Sequence, residues 1–83
     1  MCLIIAKPQK VELPPIDKLT NAWDNNKDGF GLAWSDGRVV HIRKGAMTLQ
    51  SALALVDSVP NARDVDMVMH FRFATAGTVN PGN

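Results

Sequence analysis

The sequence holds a single cysteine, Cys2, among its 83 residues, and no excess of charge of either sign. One thiol excludes an internal disulfide framework. Nine Lys and Arg against eight Asp and Glu leave a formal net charge of +1, which gives no electrostatic footprint for nucleic acid or for an anionic membrane surface. The one basic cluster, Arg38, His41, Arg43 and Lys44, carries no interleaved aromatics on which bases could stack, and reads as a solvated hairpin face. No apolar run approaches the ~20 residues needed to span a bilayer. The opening Met1-Cys2-Leu3-Ile4-Ile5-Ala6 lacks a basic segment ahead of its apolar stretch, so it does not read as a secretory signal, and the default compartment is cytoplasmic. Metal-ligand pairs at useful spacing and a Gly-rich phosphate loop are also missing, and Ser35, Ser51 and Ser58 lack the context of a nucleophile elbow. No cofactor is expected.

What is present is an ordinary globular composition, 46% hydrophobic and 20% charged. It is enough for one small domain over residues 1–83, which buries only about 60–65% of its unfolded surface and is marginally stable. The apolar run at 2–6, ended by Pro8, predicts a short buried strand. Pro14-Pro15 can open a helix over 15–24, with Ile16, Leu19 and Trp23 on its inner face. Asp24 to Gly29 is a loop, 30–34 a strand, Asp36-Gly37 a tight reversal, and 38–43 the return strand, ended by Gly45. Thr48 is the expected N-cap of a helix running to about Ser58 with Leu49, Ala52, Leu53 and Val56 inward. From Val65 to Thr75 every odd position through Phe73 is apolar, the period of a long central strand with one buried face. Residues 76–83 read as loop. The order is β-α-β-β-α-β-loop, an α+β chain. A chain ending just past its longest strand is expected to be an incomplete domain, because such a strand needs neighbours on both sides and layers on both faces.

Cys2 is the first candidate for chemistry. Removal of Met1 would place an α-amine, with an ordinary pKa of about 7.7–8.0, on the same residue as the thiol. Nucleophile and base would then share one residue, an arrangement suited to acyl transfer. The alternative is a small buried residue within a strand. Arg72 lies on the polar-alternating face of the long strand and demands a carboxylate partner, from this chain or from a substrate. His70 shares that face, as a core histidine or a packing partner. Thr75 and Gly77 follow at the strand end, where a hydroxyl and a close backbone approach would suit a small polar ligand.

Three segments taken together, Met1 to Ala6, Asp28-Gly29-Phe30-Gly31-Leu32-Ala33-Trp34, and His70-Phe71-Arg72-Phe73-Ala74-Thr75-Ala76-Gly77, resemble class II glutamine amidotransferases, which belong to the N-terminal-nucleophile hydrolases. Short stand-alone versions of the kind carried by phages look most similar. The resemblance implies the N-terminal portion of a four-layer αββα sandwich. It implies glutamine as substrate: the Cys2 thiolate attacks the side-chain amide, ammonia leaves from a γ-glutamyl thioester, and water releases glutamate with the Cys2 α-amine as base. Arg72 would hold the α-carboxylate of glutamine, and Phe73, Thr75 and Gly77 would line the same pocket. Ala76 stands where the family usually has His, Leu3 where Gly often follows the nucleophile, and Asn25-Asn26 where many members have Arg-Gly. The family's oxyanion-hole Asn-Gly and the Asp that binds the substrate amine would lie past Asn83, so little glutaminase activity is expected from these residues alone. Two other readings stand beside this one: a binding or interaction protein that keeps the fold without hydrolysis, and an N-terminal-nucleophile amidase acting on another amide. Exposed apolar edges on the central strand, and hence self-association or a missing C-terminal half or partner subunit, are expected.

Overall fold

The computed structural model describes residues 2–73. Along the chain come β1 (Leu3–Lys7), α1 (Ile16–Asn25), β2 (Phe30–Ser35), β3 (Val40–Ala46), α2 (Leu49–Asp57), a single 3₁₀ turn (Ala62–Asp64) and β4 (Asp66–Phe71). The four strands form one antiparallel sheet in the order β1-β4-β2-β3. The fold is α+β, as the alternation of periods predicts. The longest apolar strand pattern does become a central strand, with β1 on one side and β2 on the other. Both edges of β4 are therefore paired, contrary to the expectation of exposed apolar edges there. It ends at Phe71 rather than Thr75.

Strand period decides the core. Phe30, Leu32 and Trp34 of β2 and Met67, Met69 and Phe71 of β4 project to one face and are buried there. Leu19, Ala22 and Trp23 of α1 and Ala52 and Val56 of α2 close over them. Phe30 and Phe71, opposite each other in the register, pack with ring centroids 4.8 Å apart, a tilted geometry that suits the ring quadrupoles. Thr48 caps α2 through a capping box: its Oγ1 accepts from the Ser51 amide at 3.1 Å, and the Ser51 Oγ accepts from the Thr48 amide at 3.1 Å. The helix end that the residue types announced is thereby satisfied.

Several expectations are corrected. Ile16 is 66% exposed, so the inner face of α1 is Leu19, Ala22 and Trp23. Strand β1 is not buried throughout: Ile4 is 63% exposed, and the residue on the core side at its end is Lys7. The reversal at Asp36-Gly37 is a four-residue loop, since Ser35 pairs with Val40. Asp36 Oδ1 accepts the Arg38 and Val39 amides at 2.9 and 3.0 Å, an Asx turn that widens the loop. Gly45 does not end β3. It is the extra residue of a bulge between the Phe30–Ala46 and Gly31–Lys44 pairs, and its φ of 100° is open to glycine.

Lys7 was not singled out in the sequence, yet it is 3% exposed. Its Nζ donates to the carbonyls of Val65 at 2.8 Å, Pro8 and Val11 at 3.0 Å, and Arg63 at 3.4 Å. An ammonium is a compact source of three donors, and here it ties the 8–11 loop to the approach to β4. The tie is doubled by the Lys10 amide donating to the Arg63 carbonyl at 2.6 Å and by the Gln9 amide donating to Asp66 Oδ1 at 2.8 Å.

The helices cover one face of the sheet only. The other face carries Ile4, Ala6, Gly31, Ala33, Val40, Ile42, Val68 and His70, with Ile4, Val40, Ile42 and Val68 between 45% and 69% exposed. The exposed apolar surface anticipated at strand edges is thus a sheet face.

Candidate functional site

Two of the residues singled out for chemistry, Cys2 and Arg72, adjoin the last pair of the β1–β4 ladder. Leu3 pairs with Phe71 across β1 and β4. Continuing that antiparallel register by one residue sets Cys2 opposite Arg72. Both have the parity of Ile4 and His70, so both fall on the side of the sheet the helices leave open. Cys2 is exposed. Among the described residues nothing buries it, as the alternative of a small buried strand residue would require.

Arg72 is held by its backbone on the other flank as well. Its amide donates to the Gly29 carbonyl at 2.8 Å and its carbonyl accepts the Asp28 amide at 2.9 Å, extending the β4–β2 pairing past the end of either strand. Gly29 has φ 145°, which few other residues adopt. A Cβ there would lie 4.0 Å from the Arg72 Cβ and 3.8 Å from the Met47 sulfur. The Arg72 side chain is partly buried, and its Nη1 is fully buried with no hydrogen-bond partner among the described residues. An unpaired buried donor on a cation is costly, and a carboxylate is its natural complement.

Beside Arg72, over β2 and β3, lies a groove of about 330 Å³. Gly31 forms its floor: it stands between His70 on β4 and Lys44 on β3, and a Cβ at Gly31 would come within 3.2 Å of the Lys44 Cβ and 3.3 Å of the Arg43 carbonyl oxygen. Ala33, Val68 and Ile42 supply apolar wall, and Arg72 and His70 line the end nearest β1. Lys44 stands on the same face. Arg43 also borders the groove, but its guanidinium turns to the other side, 5.1 Å from the Trp34 ring centroid.

Phe73 lies beyond the strand and is 46% exposed. Thr75 and Gly77 lie outside the described residues, as do Ala76, Asn83 and Met1. Cys2 does not line the groove: it lies on the β1 side of β4, and the groove lies on the β2–β3 side. Among the described residues no three of His, Cys, Asp and Glu stand together as metal ligands would.

The basic cluster is indeed on the hairpin. His41 stacks on Trp34 with centroids 4.7 Å apart and meets Asp36 Oδ2 at 3.3 Å. Hydrogen bonds from the Val39 and Arg38 amides, then His41, lower the Asp36 pKa to about 2. Trp34 is 4% exposed, so its ring belongs to the core and not to a base-stacking platform. Among the described residues no helix is long and apolar enough to cross a membrane.

No family model, curated protein or solved structure matches this chain. The resemblance to class II glutamine amidotransferases rests on the three segments themselves.

Proposed function

We propose that the open end of the sheet is the nucleophile-and-carboxylate part of a glutamine-hydrolysing site. The observation that carries this reading is that an exposed Cys2 and an Arg72 whose buried Nη1 has no partner among the described residues both adjoin the Leu3–Phe71 pair that ends the β1–β4 ladder. In this reading Arg72 binds the α-carboxylate of glutamine, and the substrate side chain runs toward Cys2. With Met1 removed, the α-amine takes the thiol proton. The thiolate forms a bond to the amide carbon, and the carbon–nitrogen bond breaks as ammonia leaves with that proton. Water then cleaves the thioester, with the same amine as base, to give glutamate and the free thiol. Phe73, Thr75 and Gly77 are the further substrate-binding residues that the resemblance implies, the last two lying outside the described residues.

The uncovered apolar face supports the architectural side of the proposal. A second sheet stacked about 10 Å away would bury Ile4, Val40, Ile42 and Val68 and complete an αββα sandwich. It would come from a missing half, a partner subunit or self-association, in a cytoplasmic setting.

A second reading, a binding protein without hydrolysis, is favoured by one observation: the groove lies on the side of Arg72 away from Cys2. Intact mass after incubation with a glutamine-like diazoketone separates the two. The hydrolytic reading requires loss of Met1 and a single adduct, absent in Cys2→Ala and much slowed in Arg72→Met. A folded chain without Met1 that forms no adduct would overturn it and leave the binding reading.

A further inference from the structure

We infer that Lys7 is a positioning residue for Cys2: its ammonium fixes the register of β1 on β4 and so sets where the thiol stands, about 17 Å away along the extended strand; the consequence for catalysis rests on the hydrolytic reading above. Apolar packing specifies β1 poorly. It is an outer strand of the sheet, paired with β4. Its core-side positions are Leu3, Ile5 and Lys7. Leu3 is 38% exposed, Ile5 is partly buried against the core, and the one buried residue of β1 is Lys7. Because side chains alternate with a period of two, a one-residue slip would turn each of them to the wrong face, but a two-residue slip keeps every face. Alternation therefore leaves the two-residue slip open. Such a slip carries Cys2 about 7 Å along β4.

Lys7 distinguishes the registers that alternation does not. Facing Met67, it reaches carbonyls on both sides of the junction. Those of Val65 at 2.8 Å and Arg63 at 3.4 Å lie on the approach to β4; those of Pro8 and Val11, both at 3.0 Å, lie in the loop that follows β1. Two residues further along, Lys7 would face Met69, which is 0% exposed, and the ammonium would exchange four carbonyls for an apolar neighbourhood. The loop does not hold the register by its own preference. Lys10 has φ 68°, a region few residues other than glycine adopt, and the bond from the Gln9 amide to Asp66 is exposed to competing water. Fixing register is the best-attested use of a single buried polar group.

Disulfide trapping reads the register. In a Cys2→Ala background, Ala6→Cys is combined with Val68→Cys, its partner in the structure, or with His70→Cys, its partner after the slip. Opposed positions fall within the reach of a disulfide, and diagonal ones, about 7–8 Å apart, fall outside it. With Lys7 present, the Val68 pair should form about tenfold faster than the His70 pair. In Lys7→Met the order should reverse by about tenfold, because the native register then leaves the carbonyls without their donor and methionine is apolar in either place. With Cys2 restored and no other cysteine, diazoketone labelling of Lys7→Met should fall about tenfold, while iodoacetamide alkylation of the exposed thiol stays within about twofold. Fluorescence of Trp23 and Trp34 reports whether the variant is folded; if it is not, the same assays are run with trimethylamine N-oxide, which favours the compact state. Trapping that still favours the Val68 pair in Lys7→Met would overturn the inference and leave the proposed function standing. So would failure to fold even with the osmolyte, since Lys7 would then serve the whole fold and not the register. Reversed trapping with unchanged labelling would overturn the positioning role. Reversed trapping in a protein whose Cys2 is never labelled, even with Lys7 present, would uphold the register assignment and remove the hydrolytic reading.

Discussion

Replacing Arg72 by Met should stabilise the free chain while abolishing its response to carboxylate ligands. Met keeps the unbranched apolar stem and removes the guanidinium. In the wild type, Nη1 is fully buried and has no partner among the described residues, and an unsatisfied buried donor costs about 1–3 kcal/mol. The residue as a whole is only half-buried, so the low half of that range is used. The expected gain is about 1–2 kcal/mol. For a chain of this size that is a rise of about 4–8 °C in Tm per kcal/mol. In urea, with a slope of about 1 kcal/mol/M, it is a shift of about 1–2 M in midpoint. Fluorescence of the buried Trp23 and Trp34 reports the transition. A ligand that pairs with Arg72 should stabilise the wild type by about 2.7 kcal/mol when present at one hundred times its dissociation constant, and should leave Arg72→Met unmoved. If Arg72→Met instead loses more than about 1 kcal/mol in the free chain, the guanidinium is a structural element, and the argument from an unmet donor is refuted.

Three further outcomes are expected. Lys7→Met removes the ammonium from four backbone carbonyls at 2.8–3.4 Å and should cost about 2–4 kcal/mol by urea unfolding, whereas exposed Lys18→Met should stay within about 0.5 kcal/mol; equal midpoints for the two would show that the carbonyl cluster is satisfied without Lys7. Because the Asp36 pKa is lowered from 3.8 to about 2 in the folded chain, its contribution is present above about pH 4 and is lost as pH falls toward 2. The difference in midpoint between wild type and Asp36→Asn should accordingly be constant near neutrality and shrink over that window, and a difference that persists at pH 2 would contradict the assignment. Thr48→Ala removes the side-chain half of the capping box, the acceptor of the Ser51 amide, and should cost about 1 kcal/mol, read as the same shift by circular dichroism and by tryptophan fluorescence; an unchanged midpoint would show that α2 does not depend on its cap.

Much of the fold was legible because period and caps are local properties. Alternation of apolar residues at 65, 67, 69 and 71 marks a strand with one buried face whatever surrounds it, and Thr48 announces a helix start from its own side chain. Cys2 and Arg72 were legible as chemical types, a thiol at an N-terminus and a cation in an apolar strand. Lys7 was not, since an apolar run ending in Lys-Pro reads as the end of a strand; a count of parity from Leu3 through Ile5 would have put it on the core side. Ile16 misled because a helix whose apolar stripe is drawn from three residues cannot show which one the rest of the molecule covers.

The sequence by itself therefore determined the α+β class, the cap of α2, the inward face of β4 and the types of group available for chemistry, all of which follow from interactions within a few residues. Only the tertiary structure decided which of those groups meet. The β1–β4 register ends at the Leu3–Phe71 pair, which puts residues 2 and 72 at the same end of the sheet. The β4–β2–β3 order puts Gly31 between His70 and Lys44 as the floor of a groove. Placement of both helices on one side leaves the other face of the sheet without a covering layer among the described residues. These are consequences of long-range pairing, where a shift of one residue would have turned every side chain to the opposite face, and no local pattern carries that information.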